Sequence, residues 1–573
     1  MRRNFCFFLL LLGLVAQAGA GVVLDTQGGS AALEENLRAR LRLQTEPCDA
    51  PRSMVQRVFK QAEKDFDPAL RAFGYYRAKV VKELSFEDDC WHAVFTFDLG
   101  QRVVIRKRDI VIRGEAADDP KLGGLLAGLP LPEGAPLNHA EYEAIKDRLR
   151  QFAIERGYLD FAFSRQELRV YPDESVADIH LEADSGPRYH FGELRLSEQP
   201  LDEELVRRMA NLTEGEFYDT AKIAALNRVL SDSPYFARVE VRPRRDQAVD
   251  HAVPIDILLE PAKRHAWRAG IGFETDLGPR GSLRYDNRYV NARGHHFESA
   301  LSVSPVLSTL GAEYVIPGDD PIHESFGFGA KLTHEDTDSA VSDSASLTAR
   351  HTLQSEGWNQ NRFIELLHEK SDVGGEKTTS TLLMPGIAFD HAEGDDVLRT
   401  RRGYRVRFEA RGAHEALLST ASFVQLSASA KGIYRFGQGG RVTGRVDGGV
   451  TVVPSITDLP ASLRFFAGGD NSVRGYAYQS LGPLDDKGEV RGGKNLLTAS
   501  LEYEHPVVGE DWWAAAFVDA GNAFDSDQFE LRSAYGVGVR WYSPVGRVRL
   551  DVAFPDDTSD GSWRVHFGLG TDL

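Results

Sequence analysis

The pattern of hydrophobic and polar positions changes period once along the chain, near residue 265. Before that point, alternating runs with the two-residue period of strands are interleaved with stretches whose apolar residues recur every three or four positions. Three segments repeat one order: a short strand, helical stretches, an aromatic corner, then two alternating strands. The corners are Gly74-Tyr75-Tyr76, Gly157-Tyr158 and Tyr235-Phe236. They recur every ~80 residues, the scale of a small repeated domain rather than a solenoid repeat. In the second copy Tyr142, Ile145, Leu149 and Phe152 share one helical face. Asn138 stands before this run as an N-cap and Glu141 supplies an acidic first turn. Strands over Ser164–Val170 and Ala177–Ala183 follow, separated by the turn residues Pro172 and Asp173. The third copy has a helix carrying Leu226, Val229 and Leu230, then strands over Arg238–Arg242 and Ile255–Glu260. Units this small, mixing strands and helices, predict α+β modules with helices on one face of a sheet. Their uncovered sheet edges suit pairing with another extended chain; modules that act only as spacers are the alternative.

After residue 265 the helical period disappears. Segments of ~10 residues alternate apolar and polar between turn residues, the signature of outer-membrane strands. Trp267, Ala269, Ile271 and Phe273 alternate with Arg268, Gly270, Gly272 and Glu274. Tyr404, Val406, Phe408 and Ala410 alternate with Arg405, Arg407, Glu409 and Arg411, and Tyr535, Val537, Val539 and Trp541 with Gly536, Gly538, Arg540 and Tyr542. Val548, Leu550, Val552 and Phe554 alternate with Arg547, Arg549 and Asp551; near the end Trp563, Val565, Phe567 and Leu569 alternate with Arg564, His566, Gly568 and Gly570. An arginine facing lipid costs about 2–4 kcal/mol near the midplane, so the apolar set faces lipid and the charged set a polar lumen. About sixteen such segments predict an even-stranded transmembrane barrel. The fold class expected is α+β repeats followed by an all-β outer-membrane barrel.

Residues 1–20 fall outside this scheme. Arg2 and Arg3 precede an apolar run from Phe5 to Val15, and small residues end at Ala18-Gly19-Ala20. This reads as a secretory signal peptide. An apolar run of ~11 residues is too short to span a membrane as a helix. The exported chain then keeps two of its cysteines, Cys48 and Cys90, as a possible disulfide, with two free thiols as the alternative. The 573 residues carry a net charge of −18. That balance argues against nucleic acid as the main partner, which needs a clustered basic surface.

One stretch, 454–494, interrupts the strand rhythm for some forty residues. Irregular segments that long inside compact domains are usually functional or disordered. This one contains Arg464, Phe465, Gly468, Gly469, Val473, Arg474, Gly475 and Tyr476 in the order R-F-x-x-G-G-x-x-x-V-R-G-Y. At this motif the chain resembles the outer-membrane assembly factors, the superfamily that includes BamA, TamA and the two-partner secretion transporters. Further stretches resemble that superfamily in order. Ala499–Tyr503 is similar to its twelfth strand, Phe517–Asn522 to its thirteenth, and Gly536–Gly546 to its fourteenth and the turn beyond. The resemblance implies that the repeats are POTRA domains. They would occupy 21–101, 102–186 and 187–264, ahead of a barrel over 265–573. Three such domains place the likeness nearest the TamA branch.

The resemblance also implies that the long loop folds into the lumen, where Arg474 meets Glu502 and Asp519. The residues supply a reason, since a guanidinium fork suits bidentate carboxylate pairing and strand alternation points both carboxylates inward. Gly521 is expected to leave room for the loop. The bland alternative is that these charges line a wet pore. Gly270, Gly272, Gly568 and Gly570 lie in the first and last strands, and strand-interior glycine weakens pairing. A seam between those strands is therefore expected to open sideways, with no cofactor. What the resemblance implies for function is assembly or translocation of outer-membrane proteins such as autotransporters. It implies a TamB-like partner anchored in the inner membrane, unfolded outer-membrane clients, and passage of outer-membrane lipid. The competing readings are a two-partner secretion pore for one cognate protein and a passive porin, the latter opposed by the repeats. Glu502 and Glu504 as a glycosidase pair lack an arguable substrate cleft. With no nucleotide loop or Gly-x-Ser-x-Gly element, and no metal or cofactor site, an enzyme is not expected.

Overall fold

The computed structural model describes residues 21–87, 90–396, 399–437, 439–525, 529–543, 546–557 and 562–570. The expected signal peptide, 1–20, lies outside them, as do Pro544 and Val545 of the fourteenth-strand stretch. Two compact units result. One runs to Arg195 and takes in Leu212–Ala224 and Pro243–Ile255; the other takes in Leu196–Asn211, Ala225–Arg242 and the chain from Asp256 onward.

The N-terminal region contains three small sheets. Strands β1 (Gly21–Asp25), β2 (Lys79–Glu87) and β3 (Cys90–Asp98) form the first, ordered β1-β3-β2. Strands β4 (Val104–Arg113), β5 (Ala162–Tyr171) and β6 (Val176–Asp184) form the second, ordered β4-β6-β5. The third, β7-β9-β8, uses β7 (His190–Leu196), β8 (Phe236–Pro243) and β9 (Ala252–Pro261). Leu33, Leu37, Val55 and Phe66 from helices pack on Trp91, Phe95 and Phe97 of β3. In the second module Ile145 and Leu149 of the helix His139–Glu155 pack on Ile179 and Leu181 of β6. Asn138 caps that helix, its side chain accepting from Ala140 N at 2.9 Å. Cys48 and Cys90 are disulfide-bonded, with their Cα atoms 4.7 Å apart.

The aromatic corners join successive sheets, and the first two do so by the same bonds. Gly74 O accepts from Val103 N at 2.9 Å, and Gly157 O from Tyr189 N at 2.8 Å. Arg102 Nε donates to Phe73 O, and Arg188 Nε to Arg156 O, both at 2.7 Å. Each arginine also lies over the corner tyrosine, Tyr75 or Tyr158, 5.7 Å from the ring centre. Both glycines have positive φ, 86° and 85°. A side chain on either would meet a carbonyl, Leu137 O or Tyr218 O, at 2.7 Å. Only glycine admits this crossing of backbones. At the third corner Tyr235 O accepts from Ala262 N at 2.8 Å, and its hydroxyl donates to Gly294 O in a turn of the barrel at 2.7 Å.

From His265 to Gly570, sixteen strands form one antiparallel sheet in sequence order. The alternation sets its faces. Ile271, Leu501, Val518 and Tyr535 are exposed on the outside, whereas Glu504, Asp519, Arg540, Asp551 and His566 are fully buried within. Among the described residues no helix is long and apolar enough to cross a membrane, a test that does not apply to strands. The first strand (His265–Glu274) and the sixteenth (Arg564–Gly570) end the sheet on either side of a seam.

Candidate functional site

The irregular segment joins the eleventh strand (Arg441–Val452) to the twelfth (Asn495–Val508) and is itself ordered by pairing. Phe465 exchanges backbone hydrogen bonds with Gly493 (3.0 and 2.8 Å), and Ala467 with Leu481 (2.9 Å each). Gly468, Gly469 and Gly475 hold φ values near 100° that a bulkier residue would adopt only under strain (99°, 101° and 97°). Ile456, Leu459 and Leu463 pack on Leu367, Leu382 and Phe423 of the wall; Val473 and Tyr476 pack on Ala534. A polar tether reaches the seventh strand (Trp358–Val373), where buried Glu369 accepts from Ser462 N at 3.1 Å and from its hydroxyl. Phe465 lies on Gly449, where any side chain would collide with its ring at 2.3 Å. Arg464 caps loop carbonyls, with Nε on Leu459 O (2.9 Å) and Nη1 on Arg491 O (3.1 Å).

Arg474 sits at the tip of this segment. Its Nε and Nη2 donate to Asp519 Oδ2 and Oδ1 at 2.7 and 2.9 Å. Nη1 donates to Glu502 Oε2 at 2.7 Å and to Asp551 Oδ2 at 3.1 Å. The Phe517 ring lies beneath, its centre 3.4 Å from the guanidinium carbon. A chain of charges continues along the wall. Arg540 donates to Glu502 Oε1 and Oε2 (3.1 and 2.7 Å) and to Asp551 Oδ1 (2.5 Å). Arg547 bridges Glu502 (2.9 Å) and Glu504, and Arg441 meets Glu504 Oε2 at 2.8 Å. Four guanidinium groups and four carboxylates therefore neutralise one another across the loop and five neighbouring strands. Sheltered from water, such a set loses about 3–5 kcal/mol when one partner is removed.

Strand alternation alone could not have selected Asp551, Arg540 and Arg547. They stand among several inward charges, and their registry with Arg474 depends on where the loop descends. His566 and Asp470 were likewise not singled out. His566 Nδ1 hydrogen-bonds Asp470 Oδ1, and Nε2 accepts from Gly475 N at 2.8 Å. Ligand atoms of Asp276, Asp470 and His566 lie within 4.8 Å of one another, a spacing that suits a cation. Both His566 nitrogens are already engaged in hydrogen bonds, however, so the ring offers no free lone pair. At Gly521 the close neighbour is the twelfth strand rather than the loop: a side chain would meet Leu497 O at 2.3 Å. Of the seam glycines, Gly568 makes space for Arg549 (2.6 Å to Nε) and Gly270 for Ser282 (2.8 Å to Oγ), while nothing lies within 4 Å at Gly272. Gly570 pairs with Arg547 on the fifteenth strand (Gly546–Pro555).

A sixteen-stranded, nearly closed barrel with a loop bound in its lumen, preceded by small α/β modules, defines an outer-membrane protein with periplasmic POTRA domains. The chain belongs to the Omp85 superfamily: residues 266–573 match the Omp85 superfamily domain, and residues 23–99 match the first POTRA domain of TamA. The outer membrane protein assembly factor BamA of Nitratidesulfovibrio vulgaris is 22% identical over 445 residues, covering 72% of this chain and 55% of that protein. BamA of Neorickettsia risticii is 21% identical over 549 residues, 89% of this chain and 72% of that protein. The chain thus spans about half the length of the first of these relatives. The crystal structure of BamA from Haemophilus ducreyi lacking POTRA domains 1–3 has the same fold, with a TM-score of 0.68 and 15% identity over 82% of this chain and 100% of that one.

Proposed function

We propose that this protein is an outer-membrane assembly and translocation factor of the TamA type. In this reading POTRA modules span 21–101, 102–186 and 187–264, and the barrel spans 265–573 with a lumen loop over 454–494. The modules hold a periplasm-spanning, TamB-like partner and unfolded clients, among them autotransporters, by pairing at sheet edges. The TamA-type match over 23–99 supports the choice of partner. Clients enter the membrane through the seam between the first and sixteenth strands, and outer-membrane lipid passes by the same route. The single observation that carries this reading is the buried Arg474 network. It roots the loop in the strands next to the seam and inside the lumen, which supports the seam over a central conduit. A two-partner secretion pore would have to displace these charges to pass its one cognate protein. Crosslinked pull-down from native outer membranes, read by mass spectrometry, tests the choice. Recovery of a TamB-like bridge with several barrel precursors is expected; a single large secreted polypeptide trapped along the loop would replace this reading with the pore.

A further inference from the structure

Between the first and sixteenth strands, the described residues carry backbone pairing at one point only. Thr275 N donates to Phe567 O at 3.2 Å, and Phe567 N donates to Thr275 Oγ1 at 2.7 Å. By contrast, the fifteenth and sixteenth strands pair continuously from Arg547–Gly570 to Ala553–Arg564. The residues flanking the one seam contact, Asp276 on one side and His566 on the other, both bind the lumen loop at Asp470. The Asp470 N–H donates to Asp276 Oδ2 at 2.5 Å, and its carboxylate accepts from His566. Gly469, at φ 101°, places its backbone against the Asp276 carboxylate, where a side chain would come within 2.5 Å of Oδ2.

We propose that Asp276 is the release point of the seam, a positioning residue through which the lumen loop holds the first strand to the sixteenth. The bonds are arranged asymmetrically. Arg474, Gly475 and the Asp470 carboxylate all bind the wall that ends in the sixteenth strand. Among the loop-tip bonds described here, the one from Asp470 N to Asp276 crosses to the turn that ends the first strand. Further along, Gln479 of the loop also bonds Glu335 of the fifth strand (Glu324–Asp336) at 2.9 Å. At the seam itself, parting the strands breaks the Asp470–Asp276 bond and the Thr275–Phe567 contact while the loop tip keeps its bonds to the sixteenth-strand side. Movement of the loop tip and loosening of the seam become one event. This rests on the seam-opening reading above for its consequence, but its geometry does not.

The test is hydrogen exchange on the full-length protein in lipid bilayers, read by mass spectrometry over peptides that contain Thr275 and Phe567. Asp276→Ala is expected to speed their exchange about tenfold, the effect of removing a stabilising hydrogen bond next to the contact. Asp276→Asn keeps an acceptor oxygen and is expected to restore most of the protection. Heat-modifiable migration verifies that each variant is folded. Wild-type exchange in a folded Asp276→Ala protein overturns the proposal, as does equal acceleration in both variants. Accelerated exchange in the alanine variant alone, with client assembly unchanged, upholds the release point and instead overturns the seam-opening reading.

Discussion

Asp519 takes three hydrogen bonds from Arg474: one from the backbone N–H at 3.1 Å and two from the guanidinium at 2.7 and 2.9 Å. A single carboxylate thus fixes both the side chain and the backbone of the loop tip. Such bidentate geometry is available to arginine and not to lysine.

Arg474→Lys should therefore behave as a loss rather than a conservative change. Glu502 and Asp551 keep Arg540, but lysine cannot reproduce the fork on Asp519, and a buried carboxylate left without its partner costs about 3–5 kcal/mol. The temperature at which the folded, fast-migrating barrel converts to the unfolded form on a gel should drop. An unchanged midpoint would mean that the network is well hydrated and the anchor weak.

The joints between modules make a separate prediction. Gly157→Ala forces a side chain against Tyr218 O at a positive φ, and should cost about 1–3 kcal/mol. Gly74→Ala should match it, because Leu137 O occupies the same place. Limited proteolysis of the intact protein should then cut at the affected joint sooner than elsewhere; resistance equal to wild type would show that the crossing relaxes.

The first joint should also respond to acid. His139 Nε2 and the Tyr76 hydroxyl lie 2.7 Å apart. Burial holds the His139 pKa below its ordinary value, partly offset by Glu143. A folded pKa that is depressed favours the neutral ring, so the stabilisation is present above about pH 6.5 and is lost as pH falls through the folded value. Exchange around Tyr76 should quicken on mild acidification, and His139→Gln should flatten that response. A pH response identical in the variant would assign it elsewhere.

Cys48 and Cys90 are separated by 42 positions. Closing a loop of that size restricts the unfolded chain by about 4 kcal/mol. Cys48→Ser should destabilise the first module without altering the heat-modifiable migration of the barrel. Unfolding of the module, followed by fluorescence of Trp91 against the other tryptophans, should shift to lower denaturant.

Much of this architecture is legible along the chain. The change of period near residue 265 separates modules from barrel because strand and helix periods differ whatever surrounds them. Gly74 and Gly157 stand in the corner motifs, but the carbonyls they cross, Leu137 O and Tyr218 O, lie more than sixty residues on and leave no mark in the local pattern. Glu502 and Asp519 are readable because alternation decides which way a strand residue points, whereas Arg474, on no strand, is readable only through the motif that carries the resemblance. Asp551 and His566 were not, since alternation gives a face and no neighbour.

Patterning along the chain is enough to set the sides: which residues meet lipid, which meet the lumen, and where the chain must turn. Those follow from local geometry and the cost of burying charge in hydrocarbon. The contacts come only from the folded barrel. Closing the sheet and lowering the loop bring Arg474 to Asp551, 77 positions away, and Gly475 to His566, 91 positions away. Those meetings depend on strand register and on the path of the loop, and both are set by the packing of the whole barrel.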